Sequence, residues 1–312
     1  MFKIEAVLPH TRGLMNVEYQ MFNYPDGTKG ITIEEGFVNT FASNYDNYKD
    51  IIITWKGYKS DEELTTLAFL TRHFQDVFGC DVALRMPYVP NARLDRTKSR
   101  KEVFTLKFFC DFINSLNFKY VEIFDPHSNV VTSLLKNVRV RTPEDYIMAA
   151  IGSVNYQAGP GHTVYLYFPD DGAAKRYIDL VDETVERHGM RKCPYFIGHK
   201  KRNWSDGKIE GLTVSVGRGE LGDEDETNFA DNPVLMIDDI ISYGGTMAYS
   251  ADELNKLGFK NIYVYATHVE NSILDKEKGT LWKRVESGLI KKIYTTDSLL
   301  TEPNYMFTVS KL

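Results

Sequence analysis

Six short apolar runs recur along the chain, at residues 51–55, 82–86, 121–124, 164–168, 234–237 and 262–266, and helical apolar spacing follows them. They are apolar at consecutive positions rather than at alternate ones, and they are rich in β-branched and aromatic residues. Strands of that kind are buried on both faces, which is the condition of a parallel sheet. Parallel neighbours need crossover connections, so the pattern predicts an α/β fold with helices on both sheet faces. Local signals agree with it. Ser60-Asp61-Glu62-Glu63 reads as a capping box opening a helix. Thr142-Pro143 reads as an N-cap followed by proline at the first helical position. Gly258, after Leu254 and Leu257, reads as the glycine that ends a helix.

At 312 residues the chain exceeds the ~150 residues of a usual domain, so two are expected. Gly152, Gly159, Pro160 and Gly161 interrupt the pattern, which places the boundary near 148–160 and the domains at 1–150 and 151–312. Each half holds a strand ending in an aspartate turn, at Asp125 and at Asp238-Asp239. The stretch 217–232 is acidic and rich in turn residues, which suits a solvated loop. The formal charge of −6 argues against a protein that coats nucleic acid. No run approaches the ~18 apolar residues of a membrane span, and the N-terminal residues lack the apolar core of a signal peptide. Three scattered cysteines, Cys80, Cys110 and Cys193, make neither a disulfide framework nor a thiolate metal site. A reducing, cytoplasmic setting is expected.

The most informative string is Val234-Leu-Met-Ile-Asp238-Asp239-Ile-Ile-Ser242-Tyr243-Gly244-Gly245-Thr246. A buried strand delivers two adjacent acids, then a turn of small residues, then a helix. Backbone N–H groups at such a turn form an anion site, and glycines let an anion approach the backbone closely. Carboxylates just before the turn suit two adjacent sugar hydroxyls. A strand-to-helix turn with acids placed only for the helix dipole uses similar residue types. The complete string favours a ribose phosphate, at the carboxyl end of a strand where open α/β sheets bind ligands.

This string resembles the phosphoribosyl-diphosphate fingerprint of the type I phosphoribosyltransferase fold, and further segments resemble the ribose-phosphate diphosphokinases, or PRPP synthetases. Pro87-Tyr88-Val-Pro-Asn-Ala92-Arg93-Leu94-Asp95-Arg96 is similar to that family's PY…ARQDR segment. Phe124-Asp125-Pro126-His127 is similar to its D-L-H motif, and Phe168-Pro169-Asp170-Asp171-Gly172-Ala-Ala-Lys175-Arg176 to its S-P-D-x-G-G-x-K-R. His199-Lys200-Lys201-Arg202 is similar to its D-K-R-R loop, and Tyr24-Pro25-Asp26-Gly27 to its F-S-D-G turn. Thr295-Thr296-Asp297 echoes a later segment, so the resemblance runs over nearly the whole chain.

The resemblance implies two phosphoribosyltransferase-like domains, the first on the ATP side and the second with the ribose-phosphate loop. It implies diphosphate transfer from ATP to the anomeric hydroxyl of a 5-phosphorylated ribose, with AMP released and Mg²⁺ required. Such transfer rests on positioning and cationic stabilisation. The implied catalytic residues are Lys200 and Arg202, expected on a mobile loop, and His127. Tyr24, Asp26, Arg93, Asp95, Arg96 and His127 are implied for ATP. Asp238, Asp239, Ser242, Tyr243, Gly244, Gly245 and Thr246 are implied for the ribose phosphate, and His127 and Asp170 for the metal. A homo-oligomer is implied, with Tyr24 stacking on adenine in a neighbouring subunit.

Thr28 stands where the family usually has an adenine-side glutamate, and Leu94 where it has glutamine. Tyr243 replaces the small hydroxyl residue that binds a terminal 5-phosphate. A flat phenol there suits an acceptor whose phosphate continues into a second phosphate and a base. On that ground ADP-ribose is the favoured acceptor, as in phage enzymes that rebuild NAD⁺ in the host cytoplasm and pass their product to a nicotinamide transferase. Ribose 5-phosphate, giving PRPP, is the alternative. A phosphoribosyltransferase using the same acid pair, and a non-catalytic regulatory subunit, are the other readings.

Overall fold

The computed structural model describes residues 2–8, 13–43, 50–202, 209–218 and 229–312. The chain divides into two units, Met1–Arg141 and Thr142–Leu312.

The first unit contains β1 (Phe2–Val7), β2 (Leu14–Asn16), β3 (Tyr19–Asn23), β4 (Lys29–Ile33), α1 (Glu35–Ser43), β5 (Asp50–Trp55), α2 (Glu62–Asp76), β6 (Asp81–Met86), α3 (Thr105–Ser115), β7 (Val121–Phe124), α4 (Asn129–Leu134) and β8 (Val138–Arg141). Its main sheet has the order β2-β1-β5-β6-β7-β8, and β3-β4 is a separate hairpin. Strands β5 to β8 are parallel neighbours. The edge is antiparallel, β1 against β5 and β2 against β1. The amphipathic faces of α2 and α3 bury Leu67, Leu70 and Phe74, and Leu106, Cys110 and Ile113. Phe37, Phe41, Phe74 and Phe78 meet edge to face or tilted, with Phe41 and Phe78 centroids 4.9 Å apart.

The second unit contains α5 (Glu144–Ala158), β9 (Tyr165–Phe168), α6 (Asp171–Arg187), β10 (Tyr195–Arg202), β11 (Ile209–Arg218), β12 (Pro233–Ile241), α7 (Gly245–Lys256), β13 (Asn261–Val269), a 3-10 turn (Asn271–Leu274), α8 (Leu281–Glu286), β14 (Ile290–Thr296) and β15 (Phe307–Ser310). The sheet order is β11-β10-β9-β12-β13-β14-β15. Every neighbouring pair is parallel except β10 with β11. Alternation along β12 shows why its sequence is apolar throughout. Val234 and Met236 enter one core cluster, whereas Leu235 and Ile237 enter the cluster on the other side. The same division separates Ile262 and Val264 from Tyr263 and Tyr265 on β13.

All six apolar runs are strands, and the fold is the α/β architecture the alternation implied. Some local signals resolve differently. Helix α5 runs unbroken through Gly152, so the units part at Arg141 and Thr142 rather than at 150. One helical glycine costs only ~1 kcal/mol, too little to end a helix that buries Ile147, Ala150, Ile151 and Val154. Pro143 is the N-cap of α5, one position earlier than its pattern suggested. The Glu63 carboxylate accepts the Trp55 indole N–H (2.9 Å) and the Lys59 amide (3.2 Å), in place of closing a box on Ser60. Gly258 does end α7 at φ +112°, donating to the Asn255 carbonyl. Most of the acidic 217–232 stretch, residues 219–228, lies outside the described residues; Gly217 and Arg218 end β11.

None of the three cysteines is in a disulfide. Burial pushes Cys80 and Cys193 up to about 11 and Cys110 up to about 12, so they pack as neutral groups. Among the described residues no helix is long and apolar enough to cross a membrane. Phe74 is fully buried in the aromatic cluster. Phe74→Ala is expected to cost about 3–5 kcal/mol, read as a lower urea midpoint at an unchanged m-value.

Candidate active site

Strand β12 continues past its apolar stretch through Asp238 and Asp239 to Ile241, and α7 begins at Gly245. Between them Ser242, Tyr243 and Gly244 form the turn. Gly244 has φ +80°, and a Cβ there would lie 2.5 Å from the Leu281 Cβ. Conformation and space therefore both demand glycine. The Tyr243 carbonyl accepts the Thr280 amide at 3.0 Å, while the Tyr243 side chain is 40% exposed. The turn thus presents backbone N–H groups at the start of a twelve-residue helix.

The acid pair is electrically uneven. Asp239 is buried, and its Oδ2 lies 3.3 Å from Nη1 of Arg176 on α6. The Asp239 amide donates to Asp238 Oδ1 at 2.9 Å. Burial of the Asp238 carboxyl group, then the charges of Asp239 and Asp170, push its pKa well above the usual carboxylate range. Asp170 follows β9, the parallel neighbour of β12, and caps α6 by accepting the Ala173 amide at 3.0 Å. An all-oxygen set of mutually repelling carboxylates suits Mg²⁺, which binds one or two carboxylates and completes its shell with water and phosphate. Among the described residues there is no cluster of three or more His, Cys, Asp or Glu able to hold a metal by itself. His127 belongs to the first unit and Asp170 to the second.

Lys200, Lys201 and Arg202, expected on a mobile loop, are the last residues of strand β10. The first residues of β10, Tyr195 to Ile197, pair with β9. Beyond Ile197 the ladder among the described residues is with β11, where Lys200 faces Leu212 and Arg202 faces Ile209. The partner segment Gly211-Leu-Thr-Val-Ser-Val216 is rich in β-formers and supplies the hydrogen bonds. A basic composition read alone conceals that partner. The hairpin is keyed to the sheet at Gly198, where a Cβ would collide with the Tyr167 hydroxyl and lie 3.0 Å from the Pro169 carbonyl. The Tyr167 hydroxyl donates to Ser250 Oγ of α7 at 3.0 Å, and burial pushes the phenol up to about 12, keeping it a donor. His199 bonds Ser215 Oγ at 2.7 Å, with Asp171 at 3.8 Å.

The remaining predicted residues lie in the first unit. Tyr24 and Asp26 occupy the β3–β4 hairpin turn. There Gly27 takes φ +83°, and Asp26 Oδ1 accepts both the Thr28 amide (2.9 Å) and the Thr28 hydroxyl (2.7 Å). Those bonds hold the exposed Asp26 carboxyl below its usual range, so Thr28 shapes the turn. Tyr24 is 52% exposed and packs edge to face on Phe22 at 5.1 Å. Arg93, Asp95 and Arg96 follow β6 in an irregular segment anchored by buried Val89 and Ala92. His127 follows β7, after buried Asp125 with its unusual φ of +43°. Because β6 and β7 are adjacent and parallel, both segments leave from carboxyl ends of neighbouring strands, the ligand side of such sheets.

The sequence motif around Lys175-Arg176 did not disclose that Arg176 partners Asp239, because the contact joins α6 to β12. Arg176→Met leaves Asp239 buried without its cation. The expected loss is about 3 kcal/mol, the low end for breaking a buried pair because Arg176 is a quarter exposed. Arg176→Lys is expected to lose less, and thermal melts of both variants check the order.

No protein-family model matches the chain. Curated relatives match it along most of its length. A ribose-phosphate pyrophosphokinase of Sulfolobus acidocaldarius is 22% identical over 291 residues, 92% of this chain and 85% of that protein. The enzyme of that name from Thermococcus kodakarensis is 26% identical over 258 residues, 82% of this chain and 79% of its own. That from Bacillus subtilis is 24% identical over 285 residues, 88% and 75%. In structure the chain is similar to phosphoribosylpyrophosphate synthetase from Mycobacterium smegmatis, with a TM-score of 0.65 at 14% identity, covering 95% of this chain and 86% of that one. That likeness carries the fold, and along most of its length the sequence is similar to ribose-phosphate pyrophosphokinases, the PRPP synthetases.

Proposed function

We propose that the protein transfers the β,γ-diphosphate of ATP to the 1-hydroxyl of ribose 5-phosphate, forming PRPP and AMP. The observation that carries this reading is the turn at 238–246: two carboxylates at a strand end, then a left-handed glycine and a helix N-terminus. The 1-hydroxyl oxygen attacks the β-phosphorus and gives up its proton to solvent, the bond from that phosphorus to the α,β-bridging oxygen breaks, and AMP departs with that oxygen. Asp238 and Asp239 accept hydrogen bonds from the 2- and 3-hydroxyls. Ser242, Tyr243 through its backbone, Gly244, Gly245 and Thr246 hold the 5-phosphate with amides and hydroxyls. Lys200 and Arg202 neutralise charge on the transferring phosphoryl oxygens.

Arg93, Asp95, Arg96 and His127 take the nucleotide, and Tyr24 with Asp26 serves an adenine site completed in a homo-oligomer. When bound with ATP, Mg²⁺ would supply charge neutralisation on the phosphates; Asp170 in the second unit is a carboxylate that would hold it, and His127 in the first unit is a separate candidate ligand.

The ADP-ribose acceptor that Tyr243 suggested gains no support from the relatives, whose names specify ribose phosphate. Two features of the turn support the shorter acceptor. The Tyr243 carbonyl is committed to Thr280, and its phenol is 40% exposed, so the phosphate is assigned to backbone amides rather than to the phenol.

Purified protein with ATP and Mg²⁺ is expected to release AMP with ribose 5-phosphate and to leave ADP-ribose unreacted, followed by mass spectrometry. AMP release with ADP-ribose alone would reverse the acceptor, and release with neither would remove the enzymatic reading. Lys200→Ala and Arg202→Ala are each expected to lower kcat by about 10²–10³, the cost of one donor to a developing anion, with unchanged circular dichroism.

A further inference from the structure

The turn at 238–246 is braced from one side by a segment that takes no part in the binding or chemistry described above. Thr280 donates its amide to the Tyr243 carbonyl at 3.0 Å, and its hydroxyl lies 3.5 Å from the same oxygen. The next residue, Leu281, is fully buried and fills the space in which Gly244 has no side chain. Upstream, the Asp275 carboxylate accepts the amides of Glu277 (2.9 Å) and Lys278 (3.0 Å), and the Asp275 carbonyl accepts that of Gly279 (2.7 Å). Gly279 is buried, and a Cβ there would strike the Asp275 and Ile273 carbonyls. This tightly folded turn therefore presents the Thr280 amide in one orientation. Downstream, Arg284 of α8 forks onto Asp252 of α7, with Nε to Oδ1 at 3.2 Å and Nη2 to Oδ2 at 2.6 Å. Helix α7 is the helix whose first turn closes the phosphate turn, so it is held at its start and two turns along.

We propose that residues 275–284 are a positioning brace for the sugar-phosphate turn, with Leu281 and Arg284 as positioning residues that set affinity for the acceptor's phosphate without touching it. The inference rests on the ribose-phosphate reading of that turn. A bidentate arginine–carboxylate pair fixes angle as well as distance. Because Arg284 and Asp252 are about one-third exposed, their pair contributes little to global stability. Its geometric effect on the helix start is the larger consequence, since displacements near 1 Å at a reacting group can cost ~100-fold.

The test compares Arg284→Ala, Arg284→Lys, Leu281→Ala, Leu281→Met and the charge swap Arg284→Asp with Asp252→Arg in the full-length protein. Readouts are KM for ribose 5-phosphate, KM for ATP and calorimetric binding of ribose 5-phosphate without ATP. The expected result for Arg284→Ala and Leu281→Ala is about a tenfold rise in acceptor KM and Kd, with KM for ATP within about twofold. Leu281→Met and the charge swap are expected to recover most of the loss, and Arg284→Lys part of it. A purely structural role would lower the active fraction and leave both KM values alone. Unchanged acceptor KM and Kd in Arg284→Ala and Leu281→Ala, while wild type turns over, would overturn the brace and leave the function standing. A wild type that neither binds nor uses ribose 5-phosphate would overturn the underlying reading, and the brace with it.

Discussion

Burial on both faces of β12 is the constraint from which the second unit follows. A strand whose alternate side chains enter two separate cores needs helices on each side. It also has one place where polar chemistry can emerge, its carboxyl end. Asp238 and Asp239 stand there, and the apolar packing that fixes the strand fixes them too. Two adjacent carboxylates in such a place repel, and the structure divides them: Arg176 neutralises Asp239, while Asp238 is pushed toward its neutral form by burial and by Asp239 and Asp170. A site with closely placed carboxyl groups and fixed backbone amides beside it suits a polyhydroxyl ligand that carries phosphate and arrives with a divalent cation.

Around that strand end, precision comes from contacts that join elements far apart in sequence. Tyr167 on β9 reaches Ser250 on α7, and Gly198 on β10 leaves the space that the phenol needs. Leu281 and Thr280 hold the turn from the α8 side. Each contact restricts the position of α7 and of the backbone amides at its N-terminus. Rigidity of this kind, set before the ligand arrives, is what phosphoryl-transfer chemistry needs from a protein scaffold.

The sequence disclosed the parallel strands because burial on both faces leaves a direct mark, an uninterrupted apolar run. It disclosed the strand–acid pair–glycine turn–helix arrangement at 234–256 because those parts are contiguous. What it concealed is non-local. The β10–β11 pairing needs a partner strand seven or more residues away, so His199-Lys200-Lys201-Arg202 read as a basic loop. Arg176 and Thr280 lie in other elements than the acids and the turn they serve. Gly152 misled in the opposite direction, since a glycine that ends a helix in a loop can also sit within a helix whose buried face outweighs its cost. At Tyr243 the sequence offered only the side chain, whereas the structure adds a backbone contact, the carbonyl accepting the Thr280 amide.

The central claim is that the acid pair and turn of the second unit recognise a ribose 5-phosphate through its vicinal hydroxyls and its phosphate together. The most direct measurement is calorimetric titration of the protein, with Mg²⁺ and a non-hydrolysable ATP analogue present, with ribose 5-phosphate and with 2-deoxyribose 5-phosphate. Loss of one hydroxyl removes one hydrogen bond to a carboxyl group of the acid pair, and hydrogen bonds to charged groups contribute about 1.5–3 kcal/mol. The account predicts that the deoxy sugar binds about tenfold or more weakly. Equal affinity for the two sugars would contradict it.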